Sequence, residues 1–251
     1  MRYIGLDIAT TTGWASFEDE KLLERGTIQL ISGMDLPQKL HYFHLELKRV
    51  LERVEPDWCF VEDVFLGISG AKTLAYLARL NGVAINASFE VLQQNVKLYE
   101  PNYWKANSFE GLSGQAKKWQ IQLAAVKHFN LPITGNFEDI DREIRDQDNR
   151  IKVYKLKVQA ERESLNKMKA SLVRKRNPCT DEELKNTKLN IKISEEEIKE
   201  LKTALTQCEK DFDIMMSKTS LDIAAQTGMS DNVCDACGIA LCGYKELNDN
   251  N

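Results

Sequence analysis

Asp7 is a carboxylate in the middle of an apolar run, Ile4-Gly5-Leu6-Asp7-Ile8-Ala9. A charge buried in a strand is costly unless it is paired, hydrogen-bonded or bound to a cation. Glu62 repeats the situation in Phe60-Val61-Glu62-Asp63-Val64-Phe65. Two acids at the centres of neighbouring strands can put their oxygens on one hard cation, and magnesium favours a few carboxylates together with retained waters. A third acidic element, Asp231 and Asp235, stands four residues apart at a helix start, so both side chains share one helical face. Like charges at that spacing repel unless a cation lies between them. Each acid also has a plainer explanation: a helix cap, or a partner for a buried lysine. That explanation suits Asp231 as an N-cap, but suits Asp235 poorly because it lies a full turn further in.

Three or four carboxylates converging from different elements are what two-metal phosphodiester hydrolysis requires, with ions roughly 3.5–4 Å apart activating water and stabilising the leaving oxygen. The chain has 3 histidines, too few to suggest another hydrolytic scheme. It has neither a nucleophile elbow nor a phosphate-binding loop. Cys234-x-x-Cys237 and the following Cys242 lack further ligands at zinc-site spacing, so they read as small apolar residues on a helix. The 6 cysteines form no regular framework, which fits thiols in a reducing compartment.

The elements that must position these acids begin with a strand from Arg2 to Ala9, a return strand from Gly13 to Phe17 and a third strand around Thr27–Ile31. Apolar residues Leu40, Phe43, Leu47, Val50 and Leu51 recur at helical spacing before Pro56. A strand over Trp58–Phe65 carries Glu62. A helix from about Gly70 to Phe89 follows, with Gly82 inside it where another element packs closely. A short strand at Val96–Tyr99 and a helix over Gln115–Phe129 complete an α/β domain.

From about Asp139 to Met216 the chain is dense in charge and almost free of Gly, Pro and aromatic residues. Ile151, Tyr154, Val158, Leu165, Met168 and Leu172 fall on a three-four spacing, and Leu184, Ile191, Ile198, Leu201, Leu205, Cys208, Phe212 and Met215 resume it. Thr180 and Glu183 read as the capping box of the second helix. Two heptad helices joined by a short turn, Arg174 to Cys179, make an antiparallel hairpin. The expected organisation is an α/β core over 1–135, the helical hairpin over 136–222, and the terminal helix of the core over 223–251. The net charge of −4 excludes a generally basic nucleic-acid binder, so any DNA surface must be a local patch. No segment is long and apolar enough to span a membrane, and no signal segment opens the chain, which predicts a cytoplasmic protein.

These residues resemble the RuvC-type Holliday junction resolvases of the ribonuclease H-like superfamily. The likeness rests on Ile4-Gly5-Leu6-Asp7 with Thr12-Gly13-Trp14-Ala15, on Val61-Glu62-Asp63-Val64-Phe65, on Arg79-Leu80-Asn81-Gly82-Val83-Ala84-Ile85, on Gly114 to Ile121 with its lysines, and on Asp235-Ala236 with Ile239-Ala240. It covers residues 1 to about 132 and about 229 to 246.

The resemblance implies a ribonuclease H-like mixed sheet flanked by helices, here carrying an inserted antiparallel helical hairpin. It implies a Mg²⁺-dependent crossover junction endodeoxyribonuclease with a two-metal site, in which Mn²⁺ substitutes. Asp7, Glu62 and Asp235 become metal ligands, Phe65 an aromatic that stacks on an unpaired base, Lys118 a neutraliser of charge at the scissile phosphate, and Lys105 and Lys117 phosphate contacts. The family spaces its C-terminal acids three apart, where this chain has Asn232, and Asp231 is expected to supply the missing charge. Cutting two opposed strands of branched DNA implies a homodimer. The hairpin, with the basic residues Arg174-Lys175-Arg176 at its turn, is read either as touching a DNA arm or as binding a protein partner; so unusual an insertion also raises a viral or phage source. Two other readings stand beside this one: a sugar-kinase or actin-like ATPase, suggested by Leu6 to Thr12, and an inert binding protein that uses the hairpin.

Overall fold

The computed structural model describes residues 1–64, 70–131, 137–174 and 181–249. These form two compact units, one of residues 1–133 with 220–251 and one of residues 134–219.

The first unit is built on a five-stranded sheet in the order β3-β2-β1-β4-β5. Its strands are β1 (Arg2–Asp7), β2 (Thr11–Glu18), β3 (Lys21–Gln29), β4 (Trp58–Glu62) and β5 (Val96–Tyr99). The first three form an antiparallel meander, whereas β1–β4 and β4–β5 pair in parallel. The sheet is thus mixed and flanked by helices, as the resemblance implies.

Alternation along β1 and β4 sorts the side chains onto two faces. Ile4, Leu6, Cys59 and Val61 pack with Phe43, Leu47 and Leu51 of α1 (Leu36–Val54) and Leu80, Ala84 and Ala87 of α2 (Ala71–Leu92). Tyr3 and Phe60 face the other way, into a second core with Trp104 of α3 (Pro101–Asn107), Ile121 and Ala125 of α4 (Lys118–His128), and Val233 to Cys242 of α7 (Asp231–Asp249). The three cysteines of α7 are buried there as small apolar residues.

Most elements shift by a few residues at their ends, and two differ more from the sequence reading. The third strand starts at Lys21, well before Thr27, because an edge strand with one solvated face carries Lys21, Glu24 and Arg25 without showing clean alternation. Helix α3 is an added element: Pro101 at its first turn suits a helix start, but seven residues are too few to display a period.

The second unit contains α5 (Phe137–Arg174) and most of α6 (Asp181–Thr227). Ile144, Ile151, Val158 and Leu165 are buried at heptad spacing, with Ile198, Phe212 and Met216 buried on α6. Ion pairs Lys155–Glu209 at 3.0 Å and Lys169–Glu195 at 2.7 Å advance along one helix while receding along the other, as in an antiparallel pair. Helix α6 continues past Met216 to Thr227, with Ile223 still buried. The basic turn Arg174 to Cys179 is outside the described residues except for Arg174, as is Thr180 of the expected capping box.

Candidate active site

Parallel pairing of β1 and β4 runs to Leu6 opposite Val61, so Asp7 and Glu62 are the next residues on the two strands. Both end their strands, and alternation turns them to the face that carries Tyr3 and Phe60, where α7 lies. Ligands of open α/β sheets gather in such crevices beyond the carboxyl ends of parallel strands.

Two glycines decide how deep α7 sits. A Cβ on Gly5 would lie 2.1 Å from the Ala236 carbonyl oxygen, and a Cβ on Gly13 would lie 2.1 Å from that of Asn232. Only glycine permits this approach, and Asp235 is thereby brought down beside Asp7. The start of α7 is fixed from two sides. Buried Gln122 of α4 donates to the Met229 carbonyl at 2.9 Å and to that of Ser220 at 3.2 Å, and Arg25 of β3 donates to that of Thr227 at 2.6 Å. Gly228, at φ +68°, ends α6 in the left-handed conformation that glycine tolerates.

The electrostatics follow from this convergence. Asp7 and Asp235 are buried, at 6% and 7% exposure. Burial, then the charges of Asp235 and Glu62 and a hydrogen bond with Glu62, push the Asp7 carboxyl well above its ordinary range, against the opposing Lys118 charge. Burial likewise raises Asp235 to about 7, opposed by Lys118 and Lys105 and reinforced by Glu62 and Asp231. Among the described residues its Oδ1 is buried without a hydrogen-bond partner.

Lys118 opens α4 and reaches Asp231 at 3.0 Å. Partial desolvation lowers the pKa of its ammonium group, but the Asp231 hydrogen bond and the charges of Asp235, Asp231 and Asp7 outweigh that and hold it above its ordinary value. Lys105 belongs to α3 and packs its ammonium 5.5 Å from the ring centre of Trp104. Lys117 precedes α4, its backbone N–H donating to Gln120 Oε1 at 2.8 Å. Phe65 lies outside the described residues. Asn232 turns its amide nitrogen to the Thr11 carbonyl at 2.7 Å, which leaves Asp231 as the charged member of that pair.

Sequence reasoning missed three contributors. Trp104 donates its indole N–H to Glu62 Oε1 at 3.1 Å. Asn81 holds the Glu62 backbone carbonyl at 2.7 Å. Gln122 ties α4 to the start of α7. Trp104 stands among polar neighbours from Asn102 to Asn107, and α2 and α4 each carry a second amide (Asn86 and Gln120), so the sequence gave only faint signals.

The donor set suits a divalent cation on charge and chemistry. It is all oxygen, carries more buried negative charge than Lys118 and Lys105 offset, and includes an orphaned carboxylate oxygen. As they stand, no three acidic, histidine or cysteine side chains among the described residues lie at ion-holding spacing. The charges of Glu62 and Asp235 both bear on Asp7, and a cation there would offset them.

The family model for crossover junction endodeoxyribonuclease RuvC matches residues 4–142. Similar proteins of that same description include one from Chloroflexus aggregans, 29% identical over 127 residues, covering 49% of this chain and 75% of the relative. One from Ehrlichia chaffeensis is 28% identical over 145 residues, covering 56% and 90%. One from Magnetococcus marinus is 30% identical over 127 residues, covering 49% and 68%. Among solved structures, Thermus thermophilus RuvC matches with a TM-score of 0.44 at 21% identity, covering 54% of this chain and 84% of that one. The structure titled "T. thermophilus RuvC in complex with Holliday junction substrate" matches at 0.45 and 19%, covering 54% and 83%.

Proposed function

The chain belongs to the RuvC family, whose model spans residues 4–142 and so more than half of its 251 residues, and from that premise we propose that it is a Mg²⁺-dependent endonuclease that resolves four-way DNA junctions. The observation that carries this reading is the convergence of Asp7, Glu62 and Asp235 at one end of the sheet, with Asp7 and Asp235 both pushed toward protonation. That is surplus negative charge of the kind metal-dependent phosphodiester hydrolysis uses.

Asp7, Glu62, Asp235 and Asp231 would hold the metal. When bound, Mg²⁺ supplies activation of water and stabilisation of the leaving oxygen. The chain's own lysines do the rest. Lys118, at the first turn of α4, meets the charge of the scissile phosphate, and Lys105 and Lys117 fix the flanking backbone. Together they form a local basic patch on a protein of net charge −4. Phe65 follows the catalytic strand by three residues and would stack on a base unpaired at the crossover, an interaction typically worth about 1–3 kcal/mol.

Two opposed strands are cut by two sites related by a two-fold axis, so the active form is a homodimer. Helices α1 and α2 border an open groove of about 430 Å³ lined by Leu40, His44, Arg79, Gly82 and Val83. Gly82 lies inside α2 with nothing within 4 Å of where a Cβ would stand, among the described residues. Glycine inside a helix costs about 1 kcal/mol relative to alanine, a cost that close approach of a second copy would offset. The helical unit is an accessory arm for DNA or a protein partner. Among the described residues, no helix is long and apolar enough to cross a membrane; an intracellular site of action suits a DNA-processing role.

The test is incubation with synthetic four-way, three-way and linear duplex DNA, in Mg²⁺ and in EDTA. Cleavage of the four-way substrate in Mg²⁺ alone is expected. Absence of junction cleavage in Mg²⁺ overturns the proposal, and ATP turnover without DNA would replace it with a kinase-like reading.

A further inference from the structure

Resting on the metal-dependent reading above, we propose that Trp104 is a positioning residue: its indole N–H holds one oxygen of Glu62 so that the carboxylate is presented to Asp7 and to a shared cation. Trp104 is wholly buried, and its Nε1 donates to Glu62 Oε1 at 3.1 Å. A buried indole needs an acceptor for its single N–H, and a carboxylate is the strongest one a protein offers. The bond engages one oxygen of Glu62 and leaves the other for a cation shared with Asp7, which ends the neighbouring strand.

The ring is not free to follow Glu62 if the carboxylate turns. Gly238 of α7 lies against it so closely that a Cβ there would stand 2.7 Å from the ring edge. Lys105 covers it with an ammonium group 5.5 Å from the ring centre. On the strand side, Glu62 pairs with Tyr99 of β5, and its carbonyl is held by Asn81. Trp104 therefore links three elements at the site: β4 through the hydrogen bond, α7 through Gly238, and α3 through its own backbone. Phenylalanine would fill the same space and satisfy packing alone. The N–H is the part that packing does not require. Hydrogen-bonding partners of metal-binding side chains commonly contribute roughly 10–100-fold to metal affinity.

The experiment compares the full-length protein with Trp104→Phe. Calorimetric titration with Mg²⁺ and Mn²⁺ is expected to show affinity weakened roughly 10–100-fold in the variant. The midpoint of the metal dependence of four-way junction cleavage should rise in parallel, with much of the rate recovered at saturating metal. Junction binding in EDTA should be unchanged. Equal metal affinity in the two proteins, with only a lower melting temperature for the variant, overturns the proposal and makes Trp104 a packing residue. Failure of the nuclease reading would show in the unsubstituted protein, as absent metal binding and absent cleavage, and would take this proposal with it. Should the variant not fold, the unsubstituted protein gives the answer. Of the indole N–H signals of its 4 tryptophans, the one left after substituting Trp14, Trp58 and Trp119 in turn should shift on Mg²⁺ titration. An unmoved signal at saturating Mg²⁺ overturns the proposal.

Discussion

Gly5 of β1 lies beneath the carbonyl of Ala236 in α7, with only 2.1 Å between that oxygen and the place a Cβ would occupy. The contact sets the distance between a sheet that carries Asp7 and a helix that carries Asp235. Gly5→Ala cannot be absorbed by a flexible side-chain end, because the opposing atoms are backbone and the Ala240 Cβ. Overpacking of this kind costs about 1–3 kcal/mol, and more where backbone must move. The expected outcome is a lower urea midpoint together with weaker Mg²⁺ binding, since α7 lifts and takes Asp235 with it. Lower stability with unaltered Mg²⁺ affinity would show that the helix seat and the site are independent.

A second prediction concerns pH. Asp235 is raised by burial to about 7 from an ordinary value of 3.8, and Asp7 is displaced the same way. A carboxyl raised in the folded protein stabilises it fully below the unfolded value of 3.8, and that stabilisation is lost as pH rises through about 7. The metal-free protein should therefore lose stability between about pH 4 and pH 7, by on the order of 4 kcal/mol from Asp235 alone. Asp235→Asn removes the Asp235 share of this dependence and leaves that of Asp7, raises the melting temperature in EDTA at pH 8, and abolishes the further rise on adding Mg²⁺. Thermal melts at pH 5 and pH 8, with and without Mg²⁺, check all three. A flat pH profile in EDTA for the unsubstituted protein contradicts the assignment.

The acids were legible in the sequence because a charge within Ile4 to Ala9 or Phe60 to Val64 stands out against its neighbours. Short apolar runs marked the strands, and the heptad spacing of Ile151, Val158 and Leu165 marked the helices of the second unit. What pattern could not carry was side-chain partnership across elements. Trp104 reads as an ordinary core aromatic until its N–H is seen on Glu62, and Gln122 reads as a surface amide until it is found buried on two carbonyls. Gly5 and Gly13 carried a weak signal, since glycine inside a strand marks close approach by another backbone. Lys21 to Arg25 misled because an edge strand tolerates charge that a central strand does not.

Lys118 offers a third test, one that separates its two roles. Its ion pair with Asp231 involves side chains exposed at 64% and 38%, and exposed pairs contribute about 0–1 kcal/mol. Lys118→Ala should leave the melting temperature nearly unchanged. Its charge, however, lowers the pKa of both Asp7 and Asp235, so its loss should move the acid limb of the cleavage pH profile upward. Loss of a charge-stabilising donor at a phosphoryl centre typically costs about 10²–10³ in rate. A rate loss without displacement of the pH profile would leave Lys118 with the phosphate alone.

Gly82 gives a prediction in which stability and assembly move in opposite directions. It lies inside α2, beside the groove lined by Leu40 and Val83, with open space where its Cβ would be. In an isolated protomer Gly82→Ala should therefore stabilise α2 by about 1 kcal/mol through helix propensity alone. If a second copy packs on this face, a side chain larger than alanine must hold the two helices apart. Gly82→Arg is accordingly expected to give a protein with intact helix content that sediments as a monomer, binds Mg²⁺ normally and no longer cuts both opposed strands. Sedimentation equilibrium with and without junction DNA reads the assembly, and a nicked-product assay reads the coupling of the two cuts. A dimer that survives Gly82→Arg would put the two-fold axis on another face of the molecule.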